Sequence, residues 1–316
     1  ILKMSSVDTS GGAVYVNGTK ATIDNSIFTM TDATTNGGAI FIEGTYAKII
    51  RSDLSIATAQ QNGGAIYIKG DYANITNSSF RLSQSKYSTN DKKVLAGGGA
   101  IFCEGSHVNV HYSNFTRNSA QADGGAILFY GSSLKHIDIL GCNFIGNTAY
   151  GYSGQGTKGG GAIYFSEGQQ YGTIKDTKFI DNSVHTNTKA DGGAILWDRS
   201  HHGLIDNCTF DGNYITSSAA TGNVWVQGGA LYLRVDSKAV INNSVFVNCS
   251  SDKEAGALYV QSKSNLDINN PILIENTKFI SNVAKAIAPN VYGGGAVQVK
   301  ECNNIFFTNA SFINNT

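Results

Sequence analysis

The hexapeptide Gly37-Gly38-Ala39-Ile40-Phe41-Ile42 recurs almost unchanged 26 residues later, as Gly63-Gly64-Ala65-Ile66-Tyr67-Ile68, and this recurrence indicates the fold. A Gly-Gly-Ala-aliphatic tetrapeptide, with one degenerate copy, occurs ten times along the 316 residues. Self-similarity at a short period is the sequence signature of a repeat architecture. The alanines of the ten copies are Ala13, Ala39, Ala65, Ala100, Ala126, Ala162, Ala194, Ala230, Ala257 and Ala296.

A second signal follows each copy, in the form Phe-x-x-Asn or a degenerate version of it. In the first four units the Phe, or Leu54 in its place, lies 15 residues after the alanine. Directly after the alanine, apolar residues occupy alternate positions, as Ile40 and Ile42 do. Alternation with a period of two, rich in β-branched residues, is typical of a strand with one buried face. Each unit therefore carries at least two short strands, and the second ends at the Phe.

Such a unit cannot bury its own apolar face, but stacked units bury it together. The sequence thus predicts an all-β fold, a right-handed parallel β-helix (solenoid) of about ten coils with a minimal period of 26 residues. We expect residues 1–316 to form a single β-helix segment of a larger surface protein, with a coil tail over 1–10 and ten coils over 11–316. The register predicts an inward column of Ile40, Ile66, Ile101, Ile127 and Ile163.

Glycine and asparagine are expected at the corners of the coils. The paired glycines suit a tight corner that needs a positive φ or a close backbone approach. Stacked asparagine amides can satisfy one another and the corner backbone. The two expected amide columns are Asn118, Asn147, Asn182 and Asn213, and Asn207, Asn243, Asn276 and Asn309.

Composition narrows the class of partner. The 23 basic and 23 acidic residues balance, and no basic run extends beyond Lys92-Lys93, so we expect no nucleic-acid partner. Five cysteines without CxxC spacing predict free, buried thiols rather than a disulfide framework or a zinc site. We expect no metal and no cofactor, because the calcium repeat Gly-Gly-x-Gly-x-Asp is absent and the histidines are scattered apart from His201-His202.

Gly-Gly-Ala-Ile and Phe-x-x-Asn together are similar to the repeat of chlamydial polymorphic outer membrane proteins, the Pmp-like repeat. They equally resemble adhesin-like surface proteins of methanogenic archaea, whose pattern runs into a stretch like Ile75-Thr76-Asn77-Ser78-Ser79-Phe80. The resemblance covers the whole chain and implies a surface-exposed β-helical passenger concerned with attachment. It implies no catalytic residues, and the departures at Leu54, Cys249 and Ala255 weaken single coils only.

The units differ in length mainly between the Phe and the next alanine. The base distance there is 11 residues, and five units are longer, at 81–97, 145–159, 180–191, 211–227 and 280–293. Insertions at one corner predict a loop-decorated edge, which in repeat proteins is often the binding face. The alternative is that corners tolerate insertions at little cost. We expect no core column to pass through these segments. The predicted binding residues are Tyr87, Lys92, Tyr150, Tyr152, Tyr214, Trp225 and Tyr292.

An aromatic stripe is expected two residues after each alanine, where the alternation points side chains outward. Such a stripe either stabilises the sheet through stacked rings or offers a surface to a partner. Its members are Tyr15, Phe41, Tyr67, Phe102, Leu128, Tyr164, Leu196, Tyr232, Tyr259 and Gln298.

The densest chemical cluster is Trp197-Asp198-Arg199-Ser200-His201-His202, which Glu167, Arg234 and Asp236 of the adjacent coils should approach. Paired carboxylates can cleave glycosidic bonds. Polar residues are nevertheless expected at any corner, so we predict no catalytic residue here. A groove around Asp198, Glu167 and His201 is the feature that an enzyme would need.

Nine Asn-x-Ser/Thr sequons occur, which in an exported protein are candidate glycosylation sites. We expect Asn77, Asn207 and Asn309 to be inaccessible, because they would lie in the amide column. The glycosylation candidates are Asn17, Asn74, Asn114, Asn242 and Asn248.

The sequence therefore predicts a non-enzymatic, extracellular adhesin or adhesin-like passenger, anchored to the cell surface through parts outside this segment. Its expected partner is a glycan or protein of a host or neighbouring cell, or a copy of itself. Two alternatives stay open: a structural coat or filament subunit, and a polysaccharide lyase or hydrolase on the same fold.

Overall fold

The computed structural model describes residues 2–86, 97–131, 134–151, 159–166, 168, 170–187, 189–218, 225–235, 237–262, 270–285 and 293–316. In this part of the chain every regular element is a β-strand. Each strand pairs in parallel with its equivalent in the next coil, and two of the resulting sheets have ten strands. The protein is a parallel β-helix of ten coils, as the repeat predicts.

The first strand of each coil follows the Gly-Gly-Ala turn and builds a ten-stranded sheet, here called the first sheet. The predicted isoleucine column is confirmed, because Ile40, Ile66, Ile101, Ile127 and Ile163 pair in register and are all buried. The strands are Val14–Val16, Ile40–Ile42, Ile66–Ile68, Ile101–Cys103, Ile127–Phe129, Ile163–Phe165, Ile195–Ser200, Leu231–Val235, Leu258–Ser262 and Val297–Lys300.

What the sequence suggested as one second strand is two strands with a corner between them. The corner residue has a positive φ in every coil, for example 47° at Asn25 and 49° at Arg51. This region is costly for a residue with a side chain. Hydrogen bonds across the coils compensate, since the Arg51 N–H donates to the carbonyl oxygen of Thr76 at 3.1 Å.

The strands before this corner form the second sheet, also of ten strands. Its inward residues continue the apolar core, as Ile49 and Ile75 do. The strands are Thr22–Asp24, Lys48–Ile50, Asn74–Thr76, Asn109–His111, Asp138–Leu140, Thr173–Lys175, Gly203–Asp206, Ala239–Asn242, Ile272–Glu275 and Ile305–Thr308.

The third sheet carries the Phe position, and its rings form an inward stack from Phe80 to Phe312 with centroids 4.4–5.0 Å apart. This stack contributes large buried area and ring–ring contact from the third coil to the tenth. The strands are Leu2–Val7, Ile27–Ala33, Asp53–Ser55, Thr58–Ala59, Ser79–Arg81, Gln84–Ser85, Asn114–Thr116, Ser119–Ala120, Asn143–Ile145, Thr148–Gly151, Lys178–Ile180, Ser183–Thr186, Thr209–Asp211, Tyr214–Ser217, Val245–Val247, Ser250–Ser251, Lys278–Ile280, Val283–Ala284 and Ser311–Ile313.

The first predicted amide column is a buried ladder. Asn118, Asn147, Asn182 and Asn213 are fully buried, and each Nδ2 of the first three donates to the next Oδ1 at 2.9–3.0 Å. The same Oδ1 atoms accept backbone N–H groups, as Asn147 Oδ1 does from Asn118 at 3.0 Å. Buried polar groups that are all paired stabilise a fold, whereas one left unpaired is costly. The ladder explains why this corner selects asparagine.

The second predicted column is exposed, contrary to our expectation. Asn77, Asn207 and Asn309 are the positive-φ corner residues of their coils and are exposed to solvent. Asparagine is chosen there because its short polar side chain tolerates the left-handed region. Its amide then bonds outside the core, as Asn309 Nδ2 does to Asn276 Oδ1 at 2.8 Å.

Both expected roles of the glycine pair are present, one at each glycine. Gly37 has a φ of 63°. At Gly38 the constraint is space, because a Cβ would lie 2.2 Å from the carbonyl oxygen of Gly64. The Gly-Gly-Ala turn therefore admits no side chain at its second position without a shift of backbone.

All five cysteines are free thiols. Thr177 occupies the position between Cys142 and Cys208 in the stack, so these two cysteines lie two coils apart. Burial raises the pKa of four of these thiols to about 12, which keeps them protonated and unreactive near neutral pH; they are Cys103, Cys142, Cys208 and Cys249. The described residues contain no helix long and apolar enough to cross a membrane.

Candidate binding groove at the insertion edge

Three of the insertions leave the coil from equivalent positions. The strands Thr148–Gly151, Ser183–Thr186 and Tyr214–Ser217 lead into them and pair in register. We call these strands the outgoing stems. Because the stems stack on one another, their insertions start along one edge of the rod, here called the insertion edge.

The chain also returns to the coil at equivalent positions. The strands Ala190–Asp191 and Val226–Gln227, here called the return stems, pair with each other in parallel. Single bridges extend this pairing from Asp191 to Gly159 and from Gln227 to Glu254. Between the stems, residues 152–158, 188 and 219–224 are outside the described residues.

Three of the predicted binding residues lie among the described residues, and the structure brings two of them together. Tyr150 and Tyr214 flank His185, with ring centroids 5.8 Å and 5.5 Å from the imidazole. Trp225 directly precedes the return stem Val226–Gln227 and is 52% exposed. The other four predictions, which lie outside the described residues, are Tyr87, Lys92, Tyr152 and Tyr292.

The expectation that no core passes through the inserted segments is wrong for the stems. Five apolar side chains of the stems form a buried cluster of their own. Their burial joins the outgoing and return stems into a layer beside the main core, so only the segments beyond the stems can be removed at little cost. The cluster consists of Ala149, Val184, Ala190, Ile215 and Val226.

A groove of about 430 Å³ runs along the return stems across consecutive coils. Its apolar lining comes from the outward residues of the first sheet, Leu196, Tyr232 and Tyr259. Trp225, directly before a return stem, adds a large exposed ring to this lining. A concave site with aromatic walls and a few polar groups is the usual form of a ligand site.

Polar and charged residues of the first sheet form a row beside these rings, here called the polar row. Asp198, Arg234, Gln261 and Lys300 each lie two residues beyond the stripe position, and the last three pair in register. Arg234 Nη1 contacts Asp198 Oδ1 at 3.2 Å, and the Lys300 ammonium lies 4.7 Å from the centre of the Trp225 ring. The second contact has the geometry of a cation–π interaction.

Asp191 contributes an unusual carboxyl group to the groove. Its Oδ1 atom is buried and has no hydrogen-bond partner among the described residues. Burial raises the pKa of Asp191 well above its usual value, and the nearby Lys189 opposes this only in part. Desolvation disfavours the charged form of a carboxyl, so Asp191 contributes less negative charge to the groove than an exposed aspartate would.

The aromatic stripe points away from the main core, as expected, but most of it is not a surface. From Phe41 to Tyr259 its members are buried in a second apolar cluster, and Tyr15 is 55% exposed. The chain that enters the Gly-Gly turn packs against the stripe. A Cβ on Gly97 would lie 2.3 Å from Leu128 Cδ2, and Ala255 belongs to the same cluster. The stripe stabilises the fold and offers a ligand only the parts that reach the groove.

The predicted chemical cluster at 197–202 is dispersed by the structure. Trp197 is buried and stacks on Phe165 at 4.6 Å, so it belongs to the core. Asp198 lines the groove, whereas His202 stacks on Tyr171 at 5.0 Å in a different ring column. Arg234 approaches Asp198 as expected. Glu167 and Asp236 lie outside the described residues.

The sequence reasoning missed a solvent-exposed column of stacked rings. It starts at Tyr46 and ends at His202, with neighbouring centroids 4.6–5.2 Å apart. All six residues have a positive φ, and the signal was an aromatic residue at the turn after the first strand of six successive coils. Because the ring faces cover one another, the column presents ring edges to solvent. Its members are Tyr46, Tyr72, His107, His136, Tyr171 and His202.

The five predicted glycosylation candidates all reach the surface to some degree. Asn17, Asn114 and Asn248 are exposed, and Asn74 and Asn242 are half-buried. The described residues also contain no group of three or more His, Cys, Asp or Glu side chains that could hold a metal ion.

Comparison with known proteins identifies the repeat. The Chlamydia polymorphic membrane protein repeat matches residues 112–130 and 141–166, which are parts of successive coils. Among curated proteins there is no significant match. A solved structure described as a new PL6 alginate lyase complex with trisaccharide shares 11% sequence identity and a TM-score of 0.30, over 97% of this chain and 79% of that chain. This likeness is too distant to support a functional inference.

Proposed function

We propose that this chain, which carries the Chlamydia polymorphic membrane protein repeat, is the attachment segment of an extracellular cell-surface protein. The β-helix would serve as a stiff, non-enzymatic rod, held on the cell by parts outside the segment. It would bind a glycan or protein of another cell through the insertion edge. The matched repeat supports a surface protein, because the repeat is named after polymorphic membrane proteins.

One observation carries the choice of the insertion edge. The stems of successive insertions stack in register, and a groove with aromatic and charged lining lies directly along the return stems. The alternative is that the corners accept insertions only because extra residues cost little there. That alternative requires neither a buried cluster between the stems nor a groove beside them. A rigid sheet that positions variable segments is a common design for a binding surface.

Trimming the insertions beyond their stems tests this proposal. Replacing 152–158 and 219–224 with short Gly-Ser turns keeps Ala149, Val226 and their buried neighbours in place. The matched control shortens 263–269, an insertion between the first and second sheets, by the same means. Binding of each purified chain to an array of glycans and matrix proteins and to cultured epithelial cells would be measured.

We expect the edge-trimmed chain to stay folded and to lose attachment, while the control chain keeps it. Retained attachment by a folded, edge-trimmed chain would overturn the proposal. Assembly of the wild-type chain into fibres, seen by sedimentation and electron microscopy, with no foreign ligand bound, would favour the coat or filament subunit instead.

Polysaccharide cleavage is a second candidate, since one observation favours it. Asp191 and Asp198 line the same groove in different environments, since Asp191 has a buried Oδ1 atom without a hydrogen-bond partner among the described residues and Asp198 is paired with Arg234. Two carboxyl groups in different environments are a pattern of glycoside-cleaving sites. Release of reducing ends from polysaccharides, lost in the Asp191→Asn variant, would establish cleavage, and its absence would leave the groove a binding site.

A further inference from the structure

The groove extends along the stack of coils rather than around one coil. The polar row from Asp198 to Lys300 spans four consecutive coils, and the return stems flank the same stretch. Neighbouring coils are separated by the strand spacing of about 4.8 Å. A ligand that fills the groove must therefore be extended and lie along the rod axis.

Before its last strand, Val297–Lys300, the first sheet offers no strand edge to such a ligand. Each groove-lining strand of the first sheet before the last one is paired in parallel on both sides, as Leu231–Val235 is with Ile195–Ser200 and Leu258–Ser262. A peptide that adds a strand needs an open edge with free N–H and carbonyl groups. The groove instead presents rings and polar side-chain ends, which favours a chain recognised through its own rings and substituents.

The lining of the groove holds more basic than acidic side chains, although the whole chain is neutral. It has Lys189, Arg234 and Lys300 against two aspartates, and two glutamates outside the lining, Glu254 and Glu301, accept hydrogen bonds from its Gln227 and Gln261. Asp198 is compensated by Arg234, with both side chains largely buried, and Asp191 lies in a desolvated position. Lys300 lies over the exposed Trp225 ring, so a ligand at this point would meet both an aromatic ring and an ammonium group. Clefts of one charge sign concentrate ligands of the opposite sign.

We propose that this groove binds a linear anionic polysaccharide, with sugar rings against Trp225 and carboxylate or sulfate groups against Lys300 and Arg234. The inference rests on the proposed function and adds the chemical class of its ligand. Lysine and arginine bind such groups by charge-assisted hydrogen bonds. Tyr232 donates a hydrogen bond to Gln261 Oε1 at 2.7 Å, and Gln261 Nε2 donates to Glu301 Oε2 at 3.1 Å, which leaves the second hydrogen of Nε2 for a sugar hydroxyl.

Calorimetry with defined polymers tests the proposal on the whole 316-residue chain. The probes are polygalacturonate, heparin, neutral dextran and poly-glutamate of similar length. The test variants are Lys300→Gln and Trp225→Ala, both at positions outside the core cluster. The matched control is Lys69→Gln, because Lys69 occupies the same repeat position as Lys300. It too lies over a ring, 5.3 Å from the centre of Phe41, but far from the groove along the rod.

The expected result is binding of polygalacturonate or heparin that weakens as salt rises, since exposed charges are screened. The Kd should rise about tenfold or more in each test variant, in line with the loss of a cation–π or charge-assisted contact, and should stay within about twofold in Lys69→Gln. Equal binding of dextran, no binding of any probe, or equal losses at Lys69 and Lys300 would each overturn the proposal. Preference for poly-glutamate would replace the polysaccharide with an acidic peptide.

The two proposals fail in different ways. If the edge-trimmed chain loses attachment while Lys300→Gln and Trp225→Ala keep it, the insertion edge binds but the groove is not the anionic site. If the edge-trimmed chain keeps attachment, the proposed function itself fails, whatever the groove binds.

Discussion

Removing one side-chain amide from the buried asparagine ladder should destabilise the rod more than the small size of that amide suggests. In Asn147→Ala, the Asn118 N–H and one hydrogen of Asn118 Nδ2 lose their shared acceptor, Asn147 Oδ1, at 3.0 Å from each nitrogen. The carbonyl of Phe115 also loses the donor at 2.9 Å. An unpaired buried donor costs about 1–3 kcal/mol, so two of them give roughly 2–6 kcal/mol if no water enters the site.

Two companion variants make the number interpretable. Asn143→Ala removes a surface amide of the same coil, bonded to Asn114 Oδ1 at 2.8 Å, and should change stability by less than about 0.5 kcal/mol. Asn147→Cys places a thiol at the ladder position. Cys249 already holds the equivalent position, two coils beyond Asn182. The introduced Sγ can donate to the Phe115 carbonyl as Cys249 does to Phe210 at 3.5 Å, so the loss should be intermediate.

Urea unfolding gives the total loss, and amide hydrogen exchange locates it. Stacked coils contact mainly their neighbours, so the destabilisation should be concentrated in the coils on either side of the substitution. We expect faster exchange at the N–H of Asn118 in particular. A loss below about 1 kcal/mol in Asn147→Ala, the lower bound for a single orphaned donor, would refute the view that the ladder is an energetic requirement of this corner.

Three other outcomes test the fold. Ile127→Ala empties a fully buried position of the isoleucine column and should cost about 2–5 kcal/mol in urea unfolding. Gly125→Ala puts a Cβ 2.0 Å from the Gly161 carbonyl oxygen and should prevent stable folding, whereas Gly18→Ala, which meets nothing within 4 Å, should be tolerated in thermal melts. Maleimide should label half-buried Cys302 ahead of the four thiols whose pKa burial raises to about 12, and mass measurement should find five free thiols after unfolding. Early labelling of Cys103, which is fully buried, would contradict its placement in the core.

The groove was only partly predictable, and the reason is visible at single residues. The sequence singled out Trp225 as a loop aromatic and Asp198 as part of a polar turn, but it gave no reason to join them. The Lys300 ammonium lies 4.7 Å from the Trp225 ring centre, but no sequence pattern marks it, because a lysine at a strand end is common. Insertions of unequal length separate these residues along the chain, and only stacking of the coils brings them to one place.

The period, the strand faces and the core columns of this protein follow from its amino-acid sequence alone. Equivalent positions of the repeat units must stack on one another. The repeat pattern therefore assigns Ile127 to the isoleucine column and Asn147 to the amide column. The tertiary structure decided which outward faces are covered. Alternation says that Tyr232 points away from the main core, but its burial depends on the chain that returns through the Gly-Gly turn and packs against it. Contacts of that kind join segments that share no period, and a repeat pattern carries no information about them.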